Sequence, residues 1–183
     1  MNYAQVRLDV RIAVQDDQAS CLAACAAMAA DHLGLADPDD VQTRIRSALH
    51  PIRHGGCSFE DVRDAMWRMF NIESEVLYGW DVRDLQNLVV EDAGRVILGI
   101  DPAGFYSIPA GTRHAVLLAS GAAPILPDGV LGDLMKIDFV PPMLILDPHP
   151  AAPPGRFWIQ ERIEIAYGAA GRQALLIKGR PRQ

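Results

Sequence analysis

Apolar residues recur at helical spacing in the first half of the chain. The run from Cys21 to Leu33 consists mostly of small apolar residues and is followed by Gly34, which predicts a buried helix with Ser20 as its N-cap. Three further helices are predicted to begin at Asp37–Asp40, after Ser58 and after Asp81, each opened by a side chain that can accept a hydrogen bond from the first turn.

The second half of the chain changes to short apolar runs bounded by Gly, Pro and Asp, which are typical of β-strands. Near the N-terminus, an alternation of apolar and polar residues also predicts an extended segment or strand. The predicted strands are Gln5–Val14, Glu75–Tyr78, Val96–Ile100, His114–Ala119, Met143–Leu146 and Ala174–Ile177. Because helices mostly precede strands, we expect an α+β fold with N-terminal helices packed on a largely antiparallel sheet.

Length and composition predict one globular domain over residues 1–183. The chain is 50% hydrophobic and 22% charged, which excludes intrinsic disorder. Its three cysteines are too few for a disulfide scaffold, and its net charge of -6 argues against a nucleic-acid partner, since phosphates attract a basic surface. The 17 basic residues are 15 Arg and 2 Lys, which indicates a GC-rich bacterial genome or, alternatively, avoidance of lysine modification in a foreign cytosol.

The N-terminal residues carry charges every few positions and lack the apolar segment of a signal peptide. No apolar run reaches the ~18 residues that a membrane span needs. We therefore expect synthesis in the cytosol, where cysteines begin as free thiols, and no membrane span in this chain. Phosphate-binding, dinucleotide-binding and metal-ligand patterns are absent from the sequence, so no cofactor or metal is predicted, and the oligomeric state is left open.

Four polar residues lie where nucleophilic catalysis would need them. Cys21 opens a predicted helix, where the helix dipole and unpaired N–H groups favour a thiolate. Gln15 lies six residues upstream, close enough for its amide to form an oxyanion hole with the Cys21 N–H. His114 begins one predicted strand and Asp147 follows another, so an imidazole and an orienting carboxylate are both available at strand ends.

The stretch CLAACAAMAADHLG resembles the nucleophile helix of the papain-like cysteine peptidases that remove double-glycine leaders from bacteriocins, here in a standalone form. RHAVLLASG resembles the histidine strand of that family, and LILDP resembles its aspartate strand end. The resemblance extends over nearly the whole chain and implies a papain-like fold with a peptide or protein substrate. It also implies the papain-type roles of Gln15 as oxyanion donor, Cys21 as nucleophile, His114 as acid and base, and Asp147 as orienting carboxylate.

Three features depart from the family pattern. Leu22 replaces the glycine that usually follows the nucleophile, so a larger side chain stands beside the predicted cleft. Ser20 stands where an aspartate is frequent. Residues 121–142 lengthen the connection from His114 to Asp147 and are predicted to form an inserted loop or hairpin, which bears on the choice of substrate more than on the catalytic groups.

The other cysteines and histidines have simpler interpretations. Cys25 lies one helical turn after Cys21 and is predicted to be a core residue, whereas Cys57 could gain a lowered pKa at a helix start but is better explained as a small residue ahead of a cap. His149 follows Asp147 in a proline-bounded loop, a poor platform for catalysis. The sequence indicates no partner for His32, His50 or His54.

Three functions are compatible with this constellation. The first is a cysteine peptidase that hydrolyses a peptide bond through an acyl-enzyme. The second is a papain-fold toxin or effector that acts on a protein as a glutamine deamidase or acyltransferase, and that would leave the cell through a dedicated secretion system. The third is a catalytically degenerate module that only binds a peptide, which the bulky Leu22 would indicate.

Overall fold

The computed structural model describes residues 3–16, 19–49, 56–104, 106, 111–124, 143–152 and 156–181. The described residues contain five α-helices: α1 (Cys21–His32), α2 (Pro38–Leu49), α3 (Phe59–Phe70), α4 (Val82–Val90) and α5 (Gln160–Ala169). They also contain eight β-strands: β1 (Tyr3–Arg7), β2 (Glu73–Tyr78), β3 (Arg95–Ile100), β4 (His114–Leu118), β5 (Ser120–Pro124), β6 (Met143–Leu146), β7 (Arg156–Trp158) and β8 (Gln173–Gly179).

Six of the strands in the described part of the chain form one sheet in the order β2-β8-β3-β4-β6-β7, with every neighbouring pair antiparallel. Every residue of β3 and β6 is buried, as expected of strands covered on both faces. Strands β1 and β5 pair antiparallel in a second, two-stranded sheet. The predicted α+β class with a largely antiparallel sheet is therefore confirmed.

Helix α1 is deeply buried and packs against α2, β3 and β4. Its residues Leu22–Ala30 are at most 4% exposed. Most of these side chains are small, so the helix backbone can approach its neighbours closely, and the helix is apolar all round as a core helix must be. The predicted buried helix is confirmed, and its packing fixes the position of Cys21 at its first residue.

Two predicted N-caps of helices behave differently. At α3, the Ser58 hydroxyl accepts a hydrogen bond from the Asp61 N–H at 3.1 Å, and the Asp61 carboxylate accepts one from the Ser58 N–H at 3.2 Å. This capping box confirms the prediction for Ser58. Ser20 occupies the N-cap position of α1, but its side chain makes no capping hydrogen bond.

Asp81 precedes α4 without capping it, which corrects the sequence prediction. Its carboxylate pairs with the guanidinium of Arg172 instead. The Val82 N–H in the first turn of α4 donates to the Glu164 carboxylate of α5 at 3.2 Å. A distant acidic side chain therefore performs the task that local sequence assigned to Asp81, because Arg172 offers Asp81 a charged partner.

The strand pattern differs from prediction near the N-terminus. Strand β1 ends at Arg7, short of the predicted Gln5–Val14, since its partner β5 begins opposite Arg7 at Ser120. Strands β5 and β7 are additional to the prediction. Their sequences, SGAAP and RFW, are short or rich in poor strand formers, so local pattern gave no signal for them.

The predicted insertion at 121–142 lies only partly within the described residues. Its first four residues, 121–124, belong to β5, and 125–142 lie outside the described part of the chain, as do His50 and His54. The single-domain assignment for 1–183 stays a prediction. None of the helices in the described residues has the length and apolar character to cross a membrane.

Candidate active site

Cys21 is the first residue of α1, and its partly buried side chain lines a cleft of about 290 Å³. The Ala24 N–H donates to the Ser20 carbonyl at 2.9 Å, so the Cys21 N–H lies ahead of the hydrogen-bond ladder of the helix. The positive end of the helix dipole therefore acts on the sulfur and stabilises negative charge there.

His114 and Asp147 meet where two neighbouring strands of the main sheet, β4 and β6, begin and end. Strand β4 begins at His114 and β6 ends just before Asp147, and the two strands are antiparallel neighbours. His114 Nε2 and Asp147 Oδ1 are 2.8 Å apart, with the two side chains only 9% and 10% exposed. Cys21 also interacts with the imidazole and raises the pKa of His114, and Nδ1 is the ring nitrogen that does not bond to Asp147. Cys21 and His114 thus line the same cleft, and Asp147 bonds to the imidazole.

The Asp147 carboxylate has two further hydrogen-bond donors besides the imidazole. The backbone N–H of His149 donates to Oδ1 at 2.8 Å, and the Tyr106 hydroxyl donates to Oδ2. Sequence reasoning missed Tyr106. It precedes Asp147 by 41 residues, and no local spacing rule connects a loop tyrosine with a distant strand end.

Opposite charges stabilise each other within the buried pair. Burial disfavours the imidazolium, but hydrogen bonds and charge interactions with Asp147 and Cys21 outweigh burial and raise the pKa of His114 to about 9. Burial likewise disfavours the Asp147 carboxylate, yet the His114 contact, then the Tyr106 and His149 hydrogen bonds, lower the pKa of Asp147. At neutral pH the pair is therefore an imidazolium and a carboxylate.

The raised pKa of His114 predicts that the fold loses stability as pH rises from 6.5 to about 9. In this window the folded protein keeps a proton that the unfolded chain has released, so the free energy of unfolding falls by up to about 1.4 kcal/mol per pH unit. The stabilisation is complete below pH 6.5 and lost above about 9. Urea denaturation across this window measures it.

Other groups also titrate in this range, so the control is His114→Gln, which keeps a polar side chain without a titrating imidazole. The difference in unfolding free energy between the wild type and this variant isolates the His114 contribution. We expect the wild type to lose stability relative to this variant as pH rises. A difference that is constant across the window would contradict a raised pKa of His114 in the folded protein.

Gln15 is held close to the strand end that carries Asp147. Its backbone N–H donates to the Pro148 carbonyl at 2.9 Å, and its side chain is buried, with the residue 7% exposed. The preceding carbonyl, that of Val14, accepts a hydrogen bond from the Gln42 amide of α2 at 3.1 Å. The backbone of Val14 and Gln15 is thereby held by both α2 and the residue that follows Asp147. The role of the Gln15 amide in an oxyanion hole stays a prediction.

Cys25 and Cys57 have environments unlike that of Cys21. Cys25 is completely buried, its thiol donates to the Ala115 carbonyl at 3.4 Å, and burial raises its pKa well above the ordinary value, which confirms it as a core residue. Cys57 lines the same cleft as Cys21, but burial raises its pKa although the Arg46 guanidinium acts in the opposite direction. Both thiols are protonated at neutral pH and are poor nucleophiles.

The other histidines in the described part of the chain have different partners. His149 gives Asp147 its backbone N–H, while its ring Nδ1 accepts the Ala151 N–H at 3.2 Å. His32 accepts a hydrogen bond from the Arg95 guanidinium at 2.9 Å, a partner that the sequence did not reveal. Within the described ranges, no group of three or more His, Cys, Asp or Glu side chains is arranged to hold a metal ion.

The cleft lies between the N-termini of α1 and α3 and the ends of β3 and β4. Leu22 and Phe59 give it apolar walls, and Glu60 and Arg113 add charges of opposite sign. Leu22 is only 4% exposed, so most of its side chain packs into the core rather than into the open space. The Glu60 carboxylate is held by the Tyr78 hydroxyl. An open cleft with apolar walls and a few fixed polar groups is typical of a ligand site.

Two solved structures share the architecture of this chain. One is the double-glycine motif protease of an AMS/PCAT transporter in complex with the leader peptide, with a TM-score of 0.60, 16% sequence identity, and coverage of 95% of this chain and 94% of that chain. The other is described as a C39-like peptidase from Bacillus anthracis, with a TM-score of 0.68, 14% identity, and coverage of 97% of this chain and 99% of that chain.

At these identities the comparisons establish the fold. They confirm the predicted resemblance to double-glycine peptidases at that level, over nearly the full length of all three chains. No family model matches the chain. No curated protein matches it in sequence.

Proposed function

We propose that this protein is a cysteine peptidase that cleaves a peptide bond through an acyl-enzyme on Cys21. One observation carries the proposal: Cys21 and His114 line one cleft and interact there, and the Asp147 carboxylate bonds to Nε2 of the same imidazole. The fold shared with two peptidase structures supports the same conclusion. Thiolate, imidazolium and carboxylate in this order are the groups that peptide-bond cleavage by a cysteine requires.

In the acylation step, the Cys21 thiolate attacks the carbonyl carbon of the substrate, and the C–S bond forms as the C=O electron pair moves onto oxygen. The Cys21 N–H and the Gln15 amide stabilise this oxyanion. When the tetrahedral intermediate collapses, the C–N bond breaks and the His114 imidazolium gives its proton to the leaving amine. A histidine that is protonated at neutral pH is ready to act as this acid.

The deacylation step needs the same imidazole as a base. Part of the raised pKa of His114 comes from its hydrogen bond and charge interaction with Cys21. Acylation converts the thiolate into a neutral thioester and removes that part, so the pKa of His114 falls towards the working pH. The imidazole then accepts a proton from water as the water oxygen attacks the thioester, and the C–S bond breaks to restore the thiolate.

Asp147 keeps the imidazole in the required orientation in both steps. Its Oδ1 bonds to Nε2, so Nδ1 stays directed at the sulfur, and its charge stabilises the imidazolium. The substrate is a peptide or protein segment, as the double-glycine protease neighbour in complex with the leader peptide suggests by analogy. Leu22, which stands beside the nucleophile, packs mostly into the core and contributes an apolar wall to the cleft.

The test is incubation of the full chain with a random peptide library, followed by mass spectrometry of the products. Hydrolysis predicts new peptide termini at a restricted set of sequences. Conversion of glutamine to glutamate without cleavage, or transfer of a peptide acyl group to an amine, would replace the peptidase by a deamidase or acyltransferase. Peptide binding without any product would identify a degenerate binding module and refute the proposed function.

A further inference from the structure

We propose that Tyr106 is a positioning residue of the Cys21–His114–Asp147 unit, because its hydroxyl fixes the second oxygen of Asp147 while its ring meets the His114 imidazole edge-on. The inference rests on the proposed function, since it assigns a task within that active site. Tyr106 donates a hydrogen bond to the orienting carboxylate, so it acts through Asp147.

The hydrogen bonds of Asp147 divide between its two oxygens. Oδ1 accepts from His114 Nε2 and from the His149 N–H, both at 2.8 Å, whereas Oδ2 accepts from the Tyr106 hydroxyl. A carboxylate held through one oxygen alone can still rotate about its Cβ–Cγ bond. A donor on the second oxygen stops that rotation, so Oδ1 stays in line with the imidazole.

The rings around the carboxylate form a small aromatic cluster. The Tyr106 and His114 rings are perpendicular, with centroids 6.4 Å apart, and the His149 ring lies 5.5 Å from that of Tyr106 and 6.3 Å from that of His114. The Tyr106–His114 and His114–His149 pairs are edge-to-face, which is favourable between aromatic rings at these distances. The ring of Tyr106 therefore packs beside the imidazole that its hydroxyl helps to orient through the carboxylate.

The backbone around Tyr106 is itself anchored by a carboxylate. The Tyr106 N–H donates to the Pro102 carbonyl at 2.9 Å. Asp101 accepts hydrogen bonds from the N–H groups of Ala103 at 2.9 Å and Gly111 at 2.7 Å, on either side of Tyr106 in sequence. These contacts lower the pKa of Asp101, so it stays charged at neutral pH and holds the backbone N–H groups of Ala103 and Gly111.

The experiment compares Tyr106→Phe with the wild type by two readouts that need no substrate. The first is the rate at which iodoacetamide alkylates Cys21 in mildly acidic buffer, measured by peptide mapping. A misaligned imidazolium stabilises the thiolate less, so we expect alkylation about tenfold slower in the variant. The second is the ¹³C NMR titration of the Asp147 carboxyl, which should move to higher pH because a donor to the charged form is lost.

Tyr167→Phe is the matched control, since it removes a hydroxyl that is buried without a hydrogen-bond partner among the described residues. It should leave both readouts at wild-type values. Asp101→Asn, which can no longer accept both N–H groups, should slow alkylation in the same direction as Tyr106→Phe and by less. If Tyr106→Phe fails to fold, Asp101→Asn takes its place in the alkylation assay.

The outcomes separate the two claims. Wild-type Cys21 that reacts no faster than Cys57 would refute the proposed function. If Cys21 is selectively reactive but Tyr106→Phe alkylates at the wild-type rate, or leaves the Asp147 titration unchanged, the role of Tyr106 is refuted. Equal slowing in Tyr167→Phe would overturn it as well, because the effect would then reflect a general loss of stability.

Discussion

Replacing Cys21 with alanine is expected to abolish peptide hydrolysis, with a loss of at least about 10⁴-fold in kcat, while the protein stays folded. The variant has no atom that can form the acyl-enzyme, and the imidazole and oxyanion donors alone supply little rate. The side chain is only partly buried and opens into the cleft, so its removal leaves no core cavity. Peptide cleavage assays and thermal melting measure the two effects separately.

The two other cysteines supply matched controls for this prediction. Cys57→Ala changes a thiol in the same cleft and should retain activity. Cys25→Ala changes a thiol in the core and should lower the melting temperature while leaving an intact nucleophile. Activity that survives in Cys21→Ala, or that disappears in Cys57→Ala with the fold preserved, would show that the wrong cysteine had been chosen.

Replacing His114 with alanine is expected to lower kcat by about 10²–10⁴-fold, the usual contribution of a well-placed acid and base. Without the imidazolium, the Cys21 thiolate loses its partner charge and the leaving amine loses its proton donor. The variant also leaves the Asp147 carboxylate with fewer partners in a buried site, so some loss of stability should accompany the loss of rate. Steady-state kinetics at several pH values measures the loss of rate, and urea denaturation measures the loss of stability.

His149→Ala is the control for this variant, because His149 holds Asp147 through its backbone N–H, which alanine retains. We expect it to keep most of the wild-type kcat. If His149→Ala were the inactive variant and His114→Ala remained active, the histidine assignment would be reversed. Similarly large losses of kcat in both variants would indicate that the His149 ring also contributes to catalysis.

The regular elements were largely predictable because their signals are local. The apolar run after Ser20 predicts a buried helix, and strands such as Met143–Leu146 are marked by apolar runs between turn residues; the structure confirms both. The antiparallel arrangement followed from helices preceding strands. By contrast, β5 and β7 depend on pairing with strands far away in sequence and have no strong local pattern.

In the candidate site, too, the residues with a local sequence signal were predicted and the one that depends on distant contacts was not. Cys21, His114 and Asp147 each stand at the end of an element, which is where sequence reasoning looks for side chains that meet in space. Tyr106 lies in a loop, and only the folded chain brings its hydroxyl to Asp147. The Asp81 cap failed for a related reason, since a charged partner distant in sequence, Arg172, competes with the nearby helix N–H groups.

The most direct test of the central claim is to trap the acyl-enzyme. The protein would be mixed with an activated ester of an acylated amino acid, quenched in acid, digested and mapped by mass spectrometry. We predict one acyl group, attached to Cys21, and none on any cysteine of the Cys21→Ala variant. Acylation of Cys25 or Cys57 instead, or cleavage of peptides with no acyl group on Cys21, would contradict catalysis by the Cys21–His114–Asp147 unit.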